Sequence, residues 1–167
     1  MYEVDDLVMY GATGVCRVSG ITKPSFAGLN EDRLYYVLEP LYQNGVIYAP
    51  IENKSVFMRP VISEDEAKKL IDTMPQVHTE IYKSSSMQQL SKYYQSVIDT
   101  HKCKDLIKLT KSLNEKREKA KKDNKHLGQI DKKFMKKAEE LLFGELAAAL
   151  HMPKDDVEGY IRRRLGE

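Results

Sequence analysis

At Ser63 the hydrophobic pattern of this chain changes period, and that change constrains the fold more than any other feature. Before it, apolar and β-branched residues come in short runs separated by turn residues. After it, they recur at three- and four-residue steps to the end of the chain. The early runs are Leu7–Tyr10 and residues 14–21, 33–38, 46–49 and 56–59. They are broken by Gly11-Ala12-Thr13-Gly14, by the loop Lys23-Pro24-Ser25-Phe26-Ala27-Gly28-Leu29-Asn30 and by Gln43-Asn44-Gly45. Asn44-Gly45 predicts a type I′ hairpin, because both residues tolerate positive φ. Five short strands with no helix between them predict a small SH3- or Tudor-like β-barrel.

Ser63-Glu64-Asp65-Glu66 reads as a capping box, opening a helix to about Thr73 that buries Ala67, Leu70 and Ile71. Met74-Pro75 closes it, since proline disfavours helix at the residue before it. Residues 76–86 read as a connection. A helix over 86–99 places Leu90, Tyr93, Tyr94, Val97 and Ile98 inward. Another over Cys103–Lys122 carries an apolar stripe of Leu106, Leu109 and Leu113, with Ile107 and Thr110 beside it. A third opens at Leu127-Gly128 and runs along Phe134, Ala138, Leu141, Leu142, Leu146 and Leu150. Pro153 suits the first turn of a last helix burying Val157, Tyr160, Ile161 and Leu165. The expected class is α+β: the barrel over 1–62, a helix and connection over 63–86, and a compact all-α domain over 87–167. The connection over 74–86 is expected to set the angle between the two halves.

The formal net charge of +2 hides an asymmetry. Residues 1–74 hold 7 Lys/Arg against 11 Asp/Glu, and residues 75–167 hold 20 against 14. Within 101–137 the count is 14 against 5, which points to a polyanionic partner for the helical half. The Lys116–Lys125 run within it reads as a solvated helix end. No apolar run approaches the ~20 residues that cross a bilayer. The acidic N-terminus lacks the basic and apolar regions of a signal peptide, so a cytoplasmic location is expected. Cys16 and Cys103 read as ordinary reduced thiols. His78, His101, His126 and His151 have no metal-ligand spacing, so neither a metal, a cofactor nor an enzymatic activity is expected.

Several stretches carry a resemblance. They are Val8-Met9-Tyr10-Gly11-Ala12-Thr13-Gly14-Val15-Cys16-Arg17-Val18, Tyr35-Tyr36-Val37-Leu38, Val46-Ile47-Tyr48-Ala49-Pro50-Ile51, Met58-Arg59-Pro60-Val61 and Leu141-Leu142-Phe143-Gly144-Glu145-Leu146-Ala147. In this order the chain resembles the CarD/CdnL family of RNA polymerase-binding transcription regulators, whose N-terminal module also occurs in transcription-repair coupling factors. Gly11 stands where the family usually has proline. With no Gly-rich phosphate loop, the likeness is to the stand-alone regulator.

The resemblance implies a barrel that docks on the RNA polymerase β subunit by pairing an edge strand, with Pro24, Phe26 and Tyr48 at the contact. Relatives can carry arginine where this chain has Pro24 and Tyr48, and Lys23 is expected to supply that positive charge. The resemblance also implies a helical domain that touches promoter DNA at the upstream edge of the bubble through Met87 and Lys132. The charges of Lys83 and Lys92 around Met87, and of Lys133 beside Lys132, are expected to add phosphate contacts that read little sequence. Met87 aligns with a tryptophan that some relatives wedge into the minor groove, and methionine can serve as a weaker wedge. Against these roles stand plainer ones: Phe26 as a loop anchor, Tyr48 as barrel surface, Met87 as a buried first-turn residue. The implied function is a monomeric regulator that stabilises the open complex. The alternative is a Tudor-like adaptor whose helical domain binds another protein or structured RNA.

Overall fold

The computed structural model describes residues 1–23, 32–52 and 55–167. Five strands, β1 (Leu7–Tyr10), β2 (Gly14–Thr22), β3 (Tyr35–Pro40), β4 (Ile47–Pro50) and β5 (Met58–Pro60), form one antiparallel sheet in the order β4-β3-β2-β1-β5. Strands β1 to β4 run as a meander, and β5 returns to pair with β1. Strand alternation explains why β1 is apolar at every position. Val8 joins Cys16, Val18, Tyr36, Leu38 and Ala49 inside the curved sheet. Its neighbour Met9 faces the other way and packs with Val15 against Ala148 of the helical half. A strand covered on both faces needs no polar side.

Two turns depart from expectation for stated reasons. Gly11 has φ +46° and donates its N–H to the Phe57 carbonyl at 2.8 Å. Proline, locked near φ −65° and lacking an N–H, fits neither requirement, which accounts for glycine in this sequence. The β3–β4 connection is not a two-residue type I′ turn. Gly45 has φ +124°, Asn44 has no positive φ, and residues 41–46 form a longer loop. That length lets the Leu41 N–H reach the Val15 carbonyl and the Tyr42 hydroxyl donate to the Gly144 carbonyl at 2.8 Å.

The helices are α1 (Glu64–Thr73), α2 (Met87–Ile98), α3 (Cys103–Lys122), α4 (Gln129–Leu150) and α5 (Val157–Arg164). Ser63 caps α1 by accepting from the Glu66 N–H, and its hydroxyl donates to the Glu66 carboxylate at 3.2 Å. Ser86 caps α2 by accepting from the Gln89 N–H. A 3-10 turn at Lys154–Asp156 separates Pro153 from α5. Ala67, Ile71, Leu90, Leu113, Leu142 and Val157 share one core, so α1 packs as part of the helical half. Tyr93 corrects the reading of α2: it is 39% exposed and stacks on Tyr82 at 4.0 Å, while Tyr94 is buried.

Helix α4 is the centre of the molecule. Its last turns, from Gly144 to Leu150, are buried all round because helices cover one side and the sheet the other. The angle between the halves is therefore set by α4 lying on the sheet, not by residues 74–86. That segment is fastened along α3 instead. Lys111 donates to the Met74 and Val77 carbonyls, Ser112 to that of Glu80 and Lys116 to that of Tyr82. No helix among the described residues is long and apolar enough to cross a membrane.

Candidate functional site

Two surfaces gather the residues that the resemblance singles out. In the sheet, β4 pairs with β3 and is an end strand among the described residues. The opposite edge strand, β5, is covered by the helical half through Arg59. On β4, Ala49 points inward and is buried, so the alternating position Tyr48, opposite Val37, lies on the outer face and is half-buried. Lys23 is exposed and follows Thr22, whose partner Tyr35 pairs in turn with Pro50. Tyr48 is level with Val37 and Gly20, so Lys23, beyond the Thr22–Tyr35–Pro50 end of the ladder, is displaced from it by three residues along β2. Pro24 and Phe26 lie outside the described residues.

In the helical half, Met87 opens α2 and is 66% exposed, which removes the reading of a buried first-turn residue. Leu90, one turn on, is the residue that turns inward. Lys83 and Lys92 are both exposed on either side of Met87 in sequence. Lys132 and Lys133, adjacent in α4, point in different directions, as consecutive helical residues must. Lys133 sits 5.5 Å from the Phe134 ring, which packs on Tyr94 of α2. Lys137, one turn later, reaches Gln95 of α2 at 3.2 Å. Lys132 instead lines a depression of about 300 Å³ beside α3, with Arg117, Lys121, Lys125 and Lys136 around it. The five DNA candidates therefore divide between an α2-facing group and an α3-facing one.

The Lys116–Lys125 run is not wholly a solvated helix end. Lys116 turns inward and pairs at 3.0 Å with Asp131, a carboxylate only 5% exposed in the first turn of α4. The Tyr94 hydroxyl donates to the same oxygen at 2.5 Å. Burial, and then this hydrogen bond to Asp131, hold the Tyr94 phenol well above its ordinary pKa. Lys111 and Lys116 spend their charge on internal partners, and Lys121 pairs with Glu118. Nothing in the sequence foretold this network, because a first-turn aspartate reads equally as a helix-dipole partner.

The contact between the halves was missed for the same reason. Glu145 is fully buried in α4, yet both its oxygens accept from the Arg59 guanidinium of β5, at 2.5 and 2.7 Å. The Ile62 N–H and the Cys103 thiol donate to it as well, at 3.1 and 2.9 Å. The Glu145 carboxylate raises the Arg59 pKa above its ordinary value. Burial, reinforced by Glu145, raises that of the Cys103 thiol, and burial pushes the Cys16 thiol up to about 11. Among the described residues no group of His, Cys, Asp and Glu is placed to hold a metal ion.

No curated protein matches the chain. Residues 2–62 match the family model of the CarD-like/TRCF RID domain, a span that starts before β1 and ends just ahead of the Ser63 cap of α1. The matched span is the five-stranded sheet, including its end strand β4 and the Arg59 strand that docks on α4. Residues 2–62 are thus similar to a CarD-like/TRCF RID domain, which is consistent with a CarD-like assignment and supports a transcription-related protein that interacts with RNA polymerase.

Proposed function

We propose that this chain is a non-enzymatic transcription regulator that binds the polymerase β subunit with its sheet and promoter DNA with its helices, stabilising the open complex. The β4 strand is suited to the first task, since a strand at the edge of a sheet can offer main-chain hydrogen bonds to a strand of the partner. Tyr48 on β4 and Lys23 after β2 add side-chain contacts, and Pro24 and Phe26, outside the described residues, join them in this reading. The observation that carries the second task is Met87, an apolar side chain two-thirds exposed at the start of α2, with exposed Lys83 and Lys92 around it. An unbranched apolar group among cations suits a wedge at an opened base step flanked by phosphates. Lys132 and Lys133 contact the backbone on either side of the first turns of α4. Such contacts position a protein without reading sequence.

Stabilisation then needs only that the open complex be bound better than the closed one, and a difference of about 1.4 kcal/mol shifts their ratio tenfold. The test uses the full chain with Lys132→Glu. Binding to forked DNA should weaken several-fold while polymerase binding is retained. Unchanged DNA affinity removes Lys132 from the DNA face, and failure of the wild-type chain to bind polymerase β subunit ends the reading as a whole.

A further inference from the structure

The junction between the two halves is short, and one carboxylate controls it. The chain leaves β5 at Pro60 and enters α1 at Glu64. Across that step Glu145 collects donors from β5, from the linking residue Ile62 and from α3. Arg59 adds a bond from its Nε to the His101 carbonyl at 2.9 Å, and the Phe57 ring stacks on the His101 ring at 4.1 Å. At the far end of the contact the Tyr42 hydroxyl binds the Gly144 carbonyl. A Cβ on Gly144 would lie 3.0 Å from the Tyr42 ring.

Glu145 is fully buried and Arg59 largely so. A largely buried ion pair is a poor way to gain stability, because desolvating the charges offsets most of their attraction and apolar residues of similar volume often do as well. What the pair does supply is orientation. A guanidinium fork meets both carboxylate oxygens in one relative geometry, and any rotation of sheet against helix leaves a buried charge unmatched. The position of the pair, at the pivot between two surfaces assigned to different partners, gives that orientation a consequence.

We propose that Arg59 and Glu145 are positioning residues that hold the polymerase-facing β4 edge and the DNA-facing start of α2 at one fixed angle, so that both partners are engaged together. This rests on the function proposed above. When two binding surfaces share one rigid body, the second contact forms at a high effective concentration if the angle is right, and that advantage is lost if the body flexes. The pair touches neither partner. Loosening it should therefore spare each separate affinity and damage only the joint complex.

The experiment compares full-length wild type, Glu145→Gln, Arg59→Lys and Tyr42→Phe. Three quantities are measured: affinity for polymerase, affinity for forked DNA, and lifetime of the polymerase–promoter open complex. Spin labels at Glu3→Cys and Lys122→Cys, both exposed, report the distance between the halves; the native cysteines are buried. Glu145→Gln and Arg59→Lys should leave both binary affinities within about twofold, broaden the distance distribution, and shorten the open-complex lifetime roughly tenfold. Tyr42→Phe should show the same pattern more weakly, and it carries the test if the buried substitutions do not fold. An unchanged lifetime in a folded variant whose distances have broadened overturns the proposal. So does a parallel loss of binary affinities, which marks the pair as holding the fold only. A wild-type chain that binds neither partner overturns the functional reading beneath it, and this proposal with it.

Discussion

Met87 and Leu90 stand one turn apart in α2 and have opposite fates: Leu90 enters the helical core, whereas Met87, at the first position of the helix, is left to solvent. Exposed apolar groups are common on protein surfaces, so exposure alone assigns no role to Met87. It does separate stability from function. Met87→Ala should change stability by no more than about 0.5 kcal/mol, read by thermal melting. The same substitution should shorten the open-complex lifetime more than it weakens closed-complex affinity; equal losses would remove the wedge. Asp131 is the converse case. Asp131→Ala strands the Lys116 ammonium and the Tyr94 hydroxyl in a largely buried site, and should cost about 3 kcal/mol in denaturant unfolding. The thiols give a third residue-scale test. Burial raises the Cys16 pKa from its ordinary 9.0 to about 11, so the folded state holds its proton where the unfolded state releases it. The corresponding stability is complete below about pH 9 and is lost as pH rises through about 11. Native protein at pH 8 should accordingly resist alkylation at both cysteines, whereas denatured protein should react at both.

Among the elements, β4 and α4 divide the labour. An edge strand recruits a partner through its main chain, so no single side chain on it should be decisive. Tyr48→Ala should weaken polymerase binding only about fivefold and leave forked-DNA affinity untouched; loss of both affinities would mean that Tyr48 supports the fold instead. Helix α4 shows how far periodicity reaches. The three- and four-residue apolar spacing from Phe134 to Leu150 identifies it as a helix with one buried stripe. The sequence Ala147-Ala148-Ala149-Leu150 breaks that pattern, because the helix end is covered from two sides. Small residues there admit the sheet closely, as Gly144 admits the Tyr42 ring. Helical geometry also separates Lys132 from Lys133. Adjacency in the sequence suggested one basic spot, whereas a step of roughly 100° per residue sends them toward different neighbours.

At the scale of the whole molecule, sheet and helices share a boundary of apolar packing, a buried ion pair and a capped carbonyl. Thermal unfolding should then appear as one transition by both far-ultraviolet dichroism and calorimetry, with two resolved transitions as the contrary result. Charge also acts at this scale. If Lys83, Lys92, Lys132 and Lys133 each meet a phosphate, the logarithm of DNA affinity should fall against the logarithm of salt concentration with a slope near −3.6, taking about −0.9 per contact. A slope near zero would exclude backbone contact by these lysines.

Local pattern determined the order and type of nearly every element. Strand runs, the Ser63 box and the helical repeats each depend on neighbours within a turn or a hairpin, and such information is written along the chain. The same holds for the family resemblance of the N-terminal stretches. Tertiary structure alone decided what Arg59, Tyr42, Lys116, Asp131 and Glu145 do. Their partners are between 15 and 102 residues away in sequence. A charged or hydroxylated side chain at one position looks the same whether it ends in water or meets its counterpart inside the protein. Only the packing of α4 on the sheet determines which of these occurs, and with it the angle between the two proposed binding surfaces.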